Sequence, residues 1–381
     1  MNKDPQLFSF GDDYSFSEPP SNWNCQTEEP LSTFHQLSPY IGKLKPQIAR
    51  DLVLNYTDPD DLIVDPFCGS GSIPLEAHLN QRRVIASDIS PYAFILTEAK
   101  LNPPTTFEEA ISELEDLFVA SQARPSPDLQ QIPSWVKQFF NEKTLVETIK
   151  FADECIVRQN AFQFACLLGI LHHQRPGFLS FPSSHLVPYL RDKKYPRDQF
   201  PEMYEYREVF PRMHAKIKRA YKNNAHLNSN YKPTVIFSDI KSLSLPKKKV
   251  DAIITSPPYM NALDYQRDNR LRLWFIDRNT QNYSPEPTDK KAGLNQMVTH
   301  LVKHAVDSLK RGGNLVLVIG EMVVRKRLSS HPSLEYVNAL EATGKFQLID
   351  AIRDQIPDVR RSRREYRATK AEHILVIKKT K

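Results

Sequence analysis

Ser256-Pro257-Pro258-Tyr259 is the stretch whose residue types suggest chemistry most directly, because a polar corner there ends a short apolar strand. Residues 250–254 are apolar apart from Asp251, which suits a strand covered on both faces, and the prolines stop it. Neither proline donates a backbone hydrogen bond and each has φ fixed, so the chain is held extended with its carbonyls outward. The Ser256 hydroxyl and the proline carbonyls then make a rigid set of acceptors beside the Tyr259 ring. Such a set suits a flat ring bearing an exocyclic amine: oxygens take the amine hydrogens and the tyrosine stacks on the ring. A nucleobase is a ring of that kind, although an ordinary strand-to-loop turn fits the same four residues.

A second constellation lies upstream, in Asp65-Pro66-Phe67-Cys68-Gly69-Ser70-Gly71. A short apolar strand over 61–65 enters a glycine turn and leaves as a helix that tolerates Pro74 in its first turn. In an open α/β sheet, ligands bind in the crevice beyond the carboxyl end of such a strand. Gly69 and Gly71 let backbone approach a ligand, and the helix start offers free amides. The pattern is neither the Gly-x-Gly-x-x-Gly of dinucleotide binders nor a phosphate loop ending in Gly-Lys-Ser. Further on, 83–89 reads as a second strand ending in Asp88, whose carboxylate can accept both hydroxyls of a ribose, with Ile89 placed to pack on its base. The strand at 234–239 also ends in an acid, Asp239.

Ser256-Pro257-Pro258-Tyr259 resembles the catalytic motif of the amino-group DNA methyltransferases, in the serine form most typical of enzymes that methylate the N4 amine of cytosine. The adenine-N6 enzymes more often carry Asp or Asn at the first position. Asp65-Pro66-Phe67-x-Gly69-x-Gly71 is similar to the S-adenosyl-L-methionine motif of the same family. The resemblance covers most of residues 31–379, with cofactor motif, insert and catalytic motif in that order. It implies that Asp65 answers the cationic amino end of the cofactor with Phe67 near it, that Asp88 holds the ribose, and that Asp239 faces the adenine amine. Residues 38–46, with Tyr40 and Lys45, resemble the segment that closes over the methionine end; a loop that merely covers the sheet fits them equally. Double-stranded DNA is the implied partner, with the target base turned out of the duplex, and a cognate restriction endonuclease is a second partner to expect.

These elements call for an α/β fold: a Rossmann-like, mostly parallel seven-stranded sheet with helices on both faces and a mainly helical insert. The expected organisation is a poorly ordered or loosely docked leader at 1–30, a catalytic domain at 31–102 and 233–381, and an insert at 103–232. Rings such as Phe16 and Trp23 give the leader some means of packing on the body. In the insert, helical periodicity is visible at 107–120, 145–157, 161–171 and 202–222. Basic residues interleaved with aromatics make the insert the candidate for target recognition, a helical accessory or dimerisation region being the alternative. Lys193 and Lys194 in the insert, Arg267 and Arg270 after the corner, and Arg361 and Arg364 between the last two strands are placed to meet phosphates. Arg267 and Arg270 fit ion pairs with Asp264 and Asp268 as well.

The net charge of +6 over 381 residues admits a polyanionic partner. It is concentrated at 207–222, in Lys247-Lys248-Lys249 and at 360–370. No apolar run is long enough for a membrane span, and the N-terminus lacks the order of a secretory signal. Cys25, Cys68, Cys155 and Cys166 have no paired or Cys-x-x-Cys spacing, so neither disulfides nor zinc are expected and a reducing cytoplasm fits. His172 and His173 are adjacent and point in different directions on a helix, so no metal site is expected there. None of the cysteines follows a proline, which disfavours carbon-5 methylation of cytosine. Adenine-N6 methylation is the nearest rival, then an RNA or protein-amide methyltransferase, then a silent DNA-binding module.

Overall fold

Seven stranded segments make one sheet: Leu62–Asp65 (β1), Arg83–Asp88 (β2), Thr234–Phe237 (β3), Val250–Thr255 (β4), Leu309–Gly320 (β5), Phe346–Gln355 (β6) and Ala371–Lys379 (β7). The computed structural model describes residues 16–23, 31–173, 177–180, 195–223, 227, 230–258, 265–278, 290–320, 323–324, 327–328, 332–356 and 371–381. The strand order is β3-β2-β1-β4-β5-β7-β6. The first five strands run parallel, and β7 lies antiparallel between β5 and β6. This is the expected Rossmann-like sheet, and its direction of winding reverses between β1 and β4. The carboxyl ends of those two strands therefore flank the crevice where such sheets take ligands.

Alternation along the strands explains why both faces are covered. Val64, Ile253, Leu315 and Leu317 pack on one side with Leu301 and Ala305 of Lys290–Ser308 and with Tyr336 and Val337 of Ser333–Glu341. Ile63, Ala252, Ile254, Val316 and Val318 face the other side, against Ile48 and Leu52 of Pro46–Tyr56 (α1) and Ile73 and Ala77 of Ser72–Leu79 (α2). A side-chain period of two with both sets apolar is the signature of a doubly covered strand. The polar interruption of β4, Asp251, accepts the Leu62 amide at 2.9 Å and pairs with Lys310 at 2.5 Å. It stitches β1, β4 and β5 together at their amino edge.

That edge also holds Lys247-Lys248-Lys249, whose Lys248 and Lys249 amides donate to the Asp307 and Ser308 carbonyls. The tract enters β4 at the end opposite the Ser256 corner. It therefore lies at the far edge of the sheet from the candidate site.

Pro91–Leu101 (α3) starts at a Ser90 cap with Pro91 in its first turn. Its buried Tyr92, Leu96 and Ala99 share one core with four helices of the insert, Phe107–Ala123 (α4), Glu142–Val157 (α5), Ala161–Ile170 (α6) and Val209–Ala220 (α7). The insert is thus packed as a further helical layer on α3. The single helix expected over 202–222 is divided into a 3-10 turn, Pro201–Tyr204, and α7. Thr144 of α5 explains the break: its hydroxyl donates to the Arg207 carbonyl and accepts the Arg207 amide, at 3.1 and 2.8 Å. Those backbone groups are taken by a neighbouring side chain instead of by a helix. Arg207 and Lys216 are buried, so the basic character of 207–222 is only partly a solvated face.

Of residues 1–30, the described 16–23 are docked on the body. Ser17 bridges to β6 through Ser17 N–Ala351 O and Arg353 N–Ser17 O, at 2.8 and 3.3 Å. Trp23 is buried and its indole N–H donates to Asp51 at 2.7 Å. A buried tryptophan outweighs the polar composition around it. Among the described residues, no helix is long and apolar enough to cross a membrane.

Candidate active site

Asp65 ends β1 and Thr255 ends β4, side by side at the reversal point of the sheet. The Thr255 hydroxyl donates to Asp65 Oδ1 at 2.6 Å, and the Phe67 amide donates to the same oxygen at 3.2 Å. The residue before the serine corner therefore holds the first acid of the glycine turn. Burial pushes the Asp65 carboxyl up to about 7, with the Asp88 charge adding to the rise and the two donors opposing it. An acid in that state gains much from a cation placed beside it.

Asp88 ends β2 and shapes the turn itself. One oxygen accepts the Gly69 amide at 2.9 Å and the other accepts the Ser90 amide at 2.8 Å. Loss of solvent pushes its carboxyl up to about 6 against the pull of these amides. The Ile89 amide also favours the charged form, and a carboxylate has about four acceptor sites, so the acid can still accept from a ligand hydroxyl. Ile89 beside it is 57% exposed, and so is Phe237 at the end of the neighbouring β3, whose Cα pairs with that of Asp88. Two exposed apolar side chains at a strand edge are what a flat apolar ring would cover. Asp239 follows, accepting the Lys241 amide at 2.9 Å and pairing with its ammonium at 3.5 Å.

The two glycines do different work. Gly69 has φ +47° and a Cβ there would lie 3.4 Å from the Tyr40 ring, so it admits a close cover. Gly71 has φ +71° and a Cβ there would lie 2.7 Å from the Thr97 hydroxyl of α3. Its missing side chain serves helix packing, where close approach to a ligand was expected. Tyr40 stacks on Tyr92 at 5.7 Å, and the Tyr92 hydroxyl lies 2.6 Å from both Ser38 Oγ and the Pro39 carbonyl. The Lys45 amine instead donates to the Trp23 carbonyl, tying the start of α1 to the docked leader.

Ser256 is half-buried and its hydroxyl donates to the Val318 carbonyl of β5 at 3.2 Å. With its proton so directed, the oxygen acts toward a third group as an acceptor. Pro257 is buried and Pro258 exposed. Tyr259, Lys193, Lys194, Arg361 and Arg364 lie outside the described residues. Arg267 is exposed on the short helix Tyr265–Asp268. The Arg270 guanidinium lies 4.1 Å over the Trp135 ring, linking the segment after the corner to the insert. Thr255 and Phe237 were not singled out from sequence. Phe237 has a local signal, an apolar residue just ahead of a strand-end acid, whereas the bond from Thr255 crosses between strands.

Residues 20–98, which hold α1, β1, the glycine turn and Asp88, match the DNA methylase family model N6_N4_Mtase. The chain is similar over most of its length to the Type II methyltransferase M.MvaI of Kocuria varians, 23% identical over 362 residues, which span 86% of this chain and 69% of that one. A shorter stretch of 67 residues, 18% of this chain and 13% of the relative, is 34% identical to the Type II methyltransferase M.MjaII of Methanocaldococcus jannaschii. Among solved structures, TrmN from Thermus thermophilus aligns at a TM-score of 0.37 and 15% identity, over 93% of this chain and 54% of that one. A SAM-dependent methyltransferase from Methanosarcina mazei aligns at 0.36 and 11% identity, over 89% and 99%. The sheet order and the family match together give a Rossmann-like methyltransferase fold, a class whose cofactor is S-adenosylmethionine.

Proposed function

We propose that this chain transfers a methyl group from S-adenosylmethionine to the exocyclic N4 amine of a cytosine in duplex DNA. The observation that carries this reading is the Thr255–Asp65 hydrogen bond, which sets the acid that would answer the cofactor against the strand that ends in Ser256-Pro257-Pro258. The donor set fits the cofactor: a buried acid for its ammonium, Asp88 for its ribose, and Ile89 and Phe237 for its adenine. The match of residues 20–98 to a DNA methylase model favours DNA as the substrate, and the serine form of the motif favours cytosine.

When bound, the cofactor supplies a methyl group on a cationic sulfur. Asp65 holds its amino end and thereby fixes where the methyl group points. The base must leave the duplex, because a paired amine in the stack is out of reach. Tyr259 stacks on the extruded ring. The Ser256 oxygen and the Pro257 carbonyl accept the amine hydrogens, drawing electron density onto the nitrogen. The polarised nitrogen would then be the group that takes the methyl, and one amine proton would pass out to water. Positioning and polarisation carry the rate, with no covalent enzyme intermediate.

Ser256→Ala and Tyr259→Ala are expected to lower transfer by roughly 100-fold or more while leaving cofactor affinity unchanged, as for loss of one preorganised polar contact. Transfer of labelled methyl to duplex DNA checks this, and full activity in both variants would refute the catalytic assignment. Cofactor affinity should also depend on pH. Asp65 and Asp88 are raised to about 7 and about 6 in the free protein and must ionise to hold the ligand. Affinity therefore falls as pH drops below 7, by at most about tenfold per unit for each proton released on binding. Calorimetry in buffers of different ionisation enthalpy should show proton release at pH 6.5 that fades by pH 8, about one unit above the higher value.

A further inference from the structure

Lys100 and Lys216 are buried, Lys43 is half-buried within the 38–46 segment, and each of the three amines ends on a backbone carbonyl. Lys100 of α3 has no exposed surface and donates to the Ser70 carbonyl inside the glycine turn. Lys43 donates to the His35 carbonyl at 2.5 Å, and Lys216 of α7 donates to the Gln36 carbonyl at 2.7 Å. Both of those carbonyls belong to Thr33–Gln36, a 3-10 turn that buries Phe34 and His35. His35 Nε2 lies 2.6 Å from Glu76 of α2.

The rest of residues 32–43 is fastened in the same way. Thr33 donates its hydroxyl to the Ala220 carbonyl at the end of α7, at 2.5 Å. Gly169 of α6 has no room for a Cβ, because the Leu37 carbonyl would lie 2.1 Å from it. Tyr92 meets Ser38 and Pro39, and Tyr40 then rests on Gly69. Residues 32–43 are thus a strap with one end on the insert and the other on the glycine turn.

Burial holds Lys43 and Lys216 down at about 8 and Lys100 well below the usual lysine range; repulsion from the other amines adds to it at Lys43 and Lys100, and Arg219 adds to it at Lys216. Desolvated amines are costly, and apolar side chains would fill the same space at less expense. What the lysines supply is a fixed distance from a helix to a strap or turn carbonyl.

We propose that Lys216 and Lys100 are positioning residues of the cofactor pocket, setting the height of the Tyr40 strap above the glycine turn, so that helix α7 of the insert is part of the cofactor site. For the identity of the ligand this rests on the function proposed above. The test compares wild type with Lys216→Met, Lys216→Gln and, as a control on the exposed face of α7, Lys218→Met. S-adenosylmethionine affinity is read by calorimetry. In the free protein, hydrogen exchange is read at the amides of 40–42 and 69–72.

Lys216→Met should bind about tenfold more weakly, the size of one lost buried hydrogen bond. Its exchange should be faster in both segments. Lys216→Gln, which keeps a donor, should recover much of both, and Lys218→Met should match wild type. Wild-type affinity and exchange in Lys216→Met would overturn the proposal. So would equal losses in the Met and Gln variants with protection lowered throughout the chain, since that is general destabilisation. A wild-type protein that fails to bind the cofactor would defeat the proposed function, while local exchange at the strap and turn would still decide the positioning role.

Discussion

Asp65→Asn is expected to weaken S-adenosylmethionine binding by roughly 30- to 3,000-fold, the range for removing one partner of a buried charge pair. The same substitution should make the free protein more stable above pH 7. Burial raises this carboxyl from 3.8 to about 7, so folding favours its protonated form. The stability that follows is complete below the unfolded value and is lost as pH climbs through about 7. At pH 8 the ionised acid costs on the order of 4 kcal/mol, a cost that a neutral amide avoids. Asparagine keeps a carbonyl that can accept from Thr255 and Phe67, as Asp65 Oδ1 does. Thermal melts should therefore show the variant above wild type at pH 8, with the gap closing toward pH 5. Binding within about threefold of wild type would remove Asp65 from the cofactor site.

Gly169→Ala should have the largest effect on the fold. The added carbon would lie 2.1 Å from the Leu37 carbonyl and 3.3 Å from Lys216 Cε, so backbone must move. Overpacking of this kind costs about 3 kcal/mol, and relief comes only if the strap lifts from α6. A lifted strap carries Tyr40 away from Gly69, so the melting temperature should drop by several degrees and cofactor affinity should fall with it. Gly312→Ala gives the comparison: its φ is +83° with nothing within 4 Å, so backbone strain acts there without a clash. A Gly169→Ala protein that melts and binds like wild type would mean that the strap and α6 are not locked together.

Local signals carried most of the fold. Short, nearly continuous apolar runs marked the strands, and the Asp65 and Asp88 strand ends with their glycine turn marked the crevice, because each depends only on neighbours in sequence. Contacts between distant segments were not legible. Nothing near Thr255 announces that its hydroxyl meets Asp65, and nothing near Lys216 announces that its amine crosses to Gln36. The burial of Lys216 and Arg207 within the basic stretch 207–222 was likewise hidden, because sequence shows composition and not burial. Lys247-Lys248-Lys249 shows how the fold separates sequence neighbours: β4 runs between the tract and the corner, so the tract sits at the far edge of the sheet. Within residues 1–30, the rings named from sequence do pack: a buried Trp23 and a backbone bridge at Ser17 dock residues 16–23.

The most direct test is incubation of the purified protein with labelled S-adenosylmethionine and mixed-sequence duplex DNA, followed by nucleoside mass analysis of the digest. The account predicts label in N4-methylcytosine, lost in Asp65→Asn through binding and in Ser256→Ala through transfer. Label in N6-methyladenine would contradict the choice of base while keeping the site, and DNA without label would contradict the account as a whole.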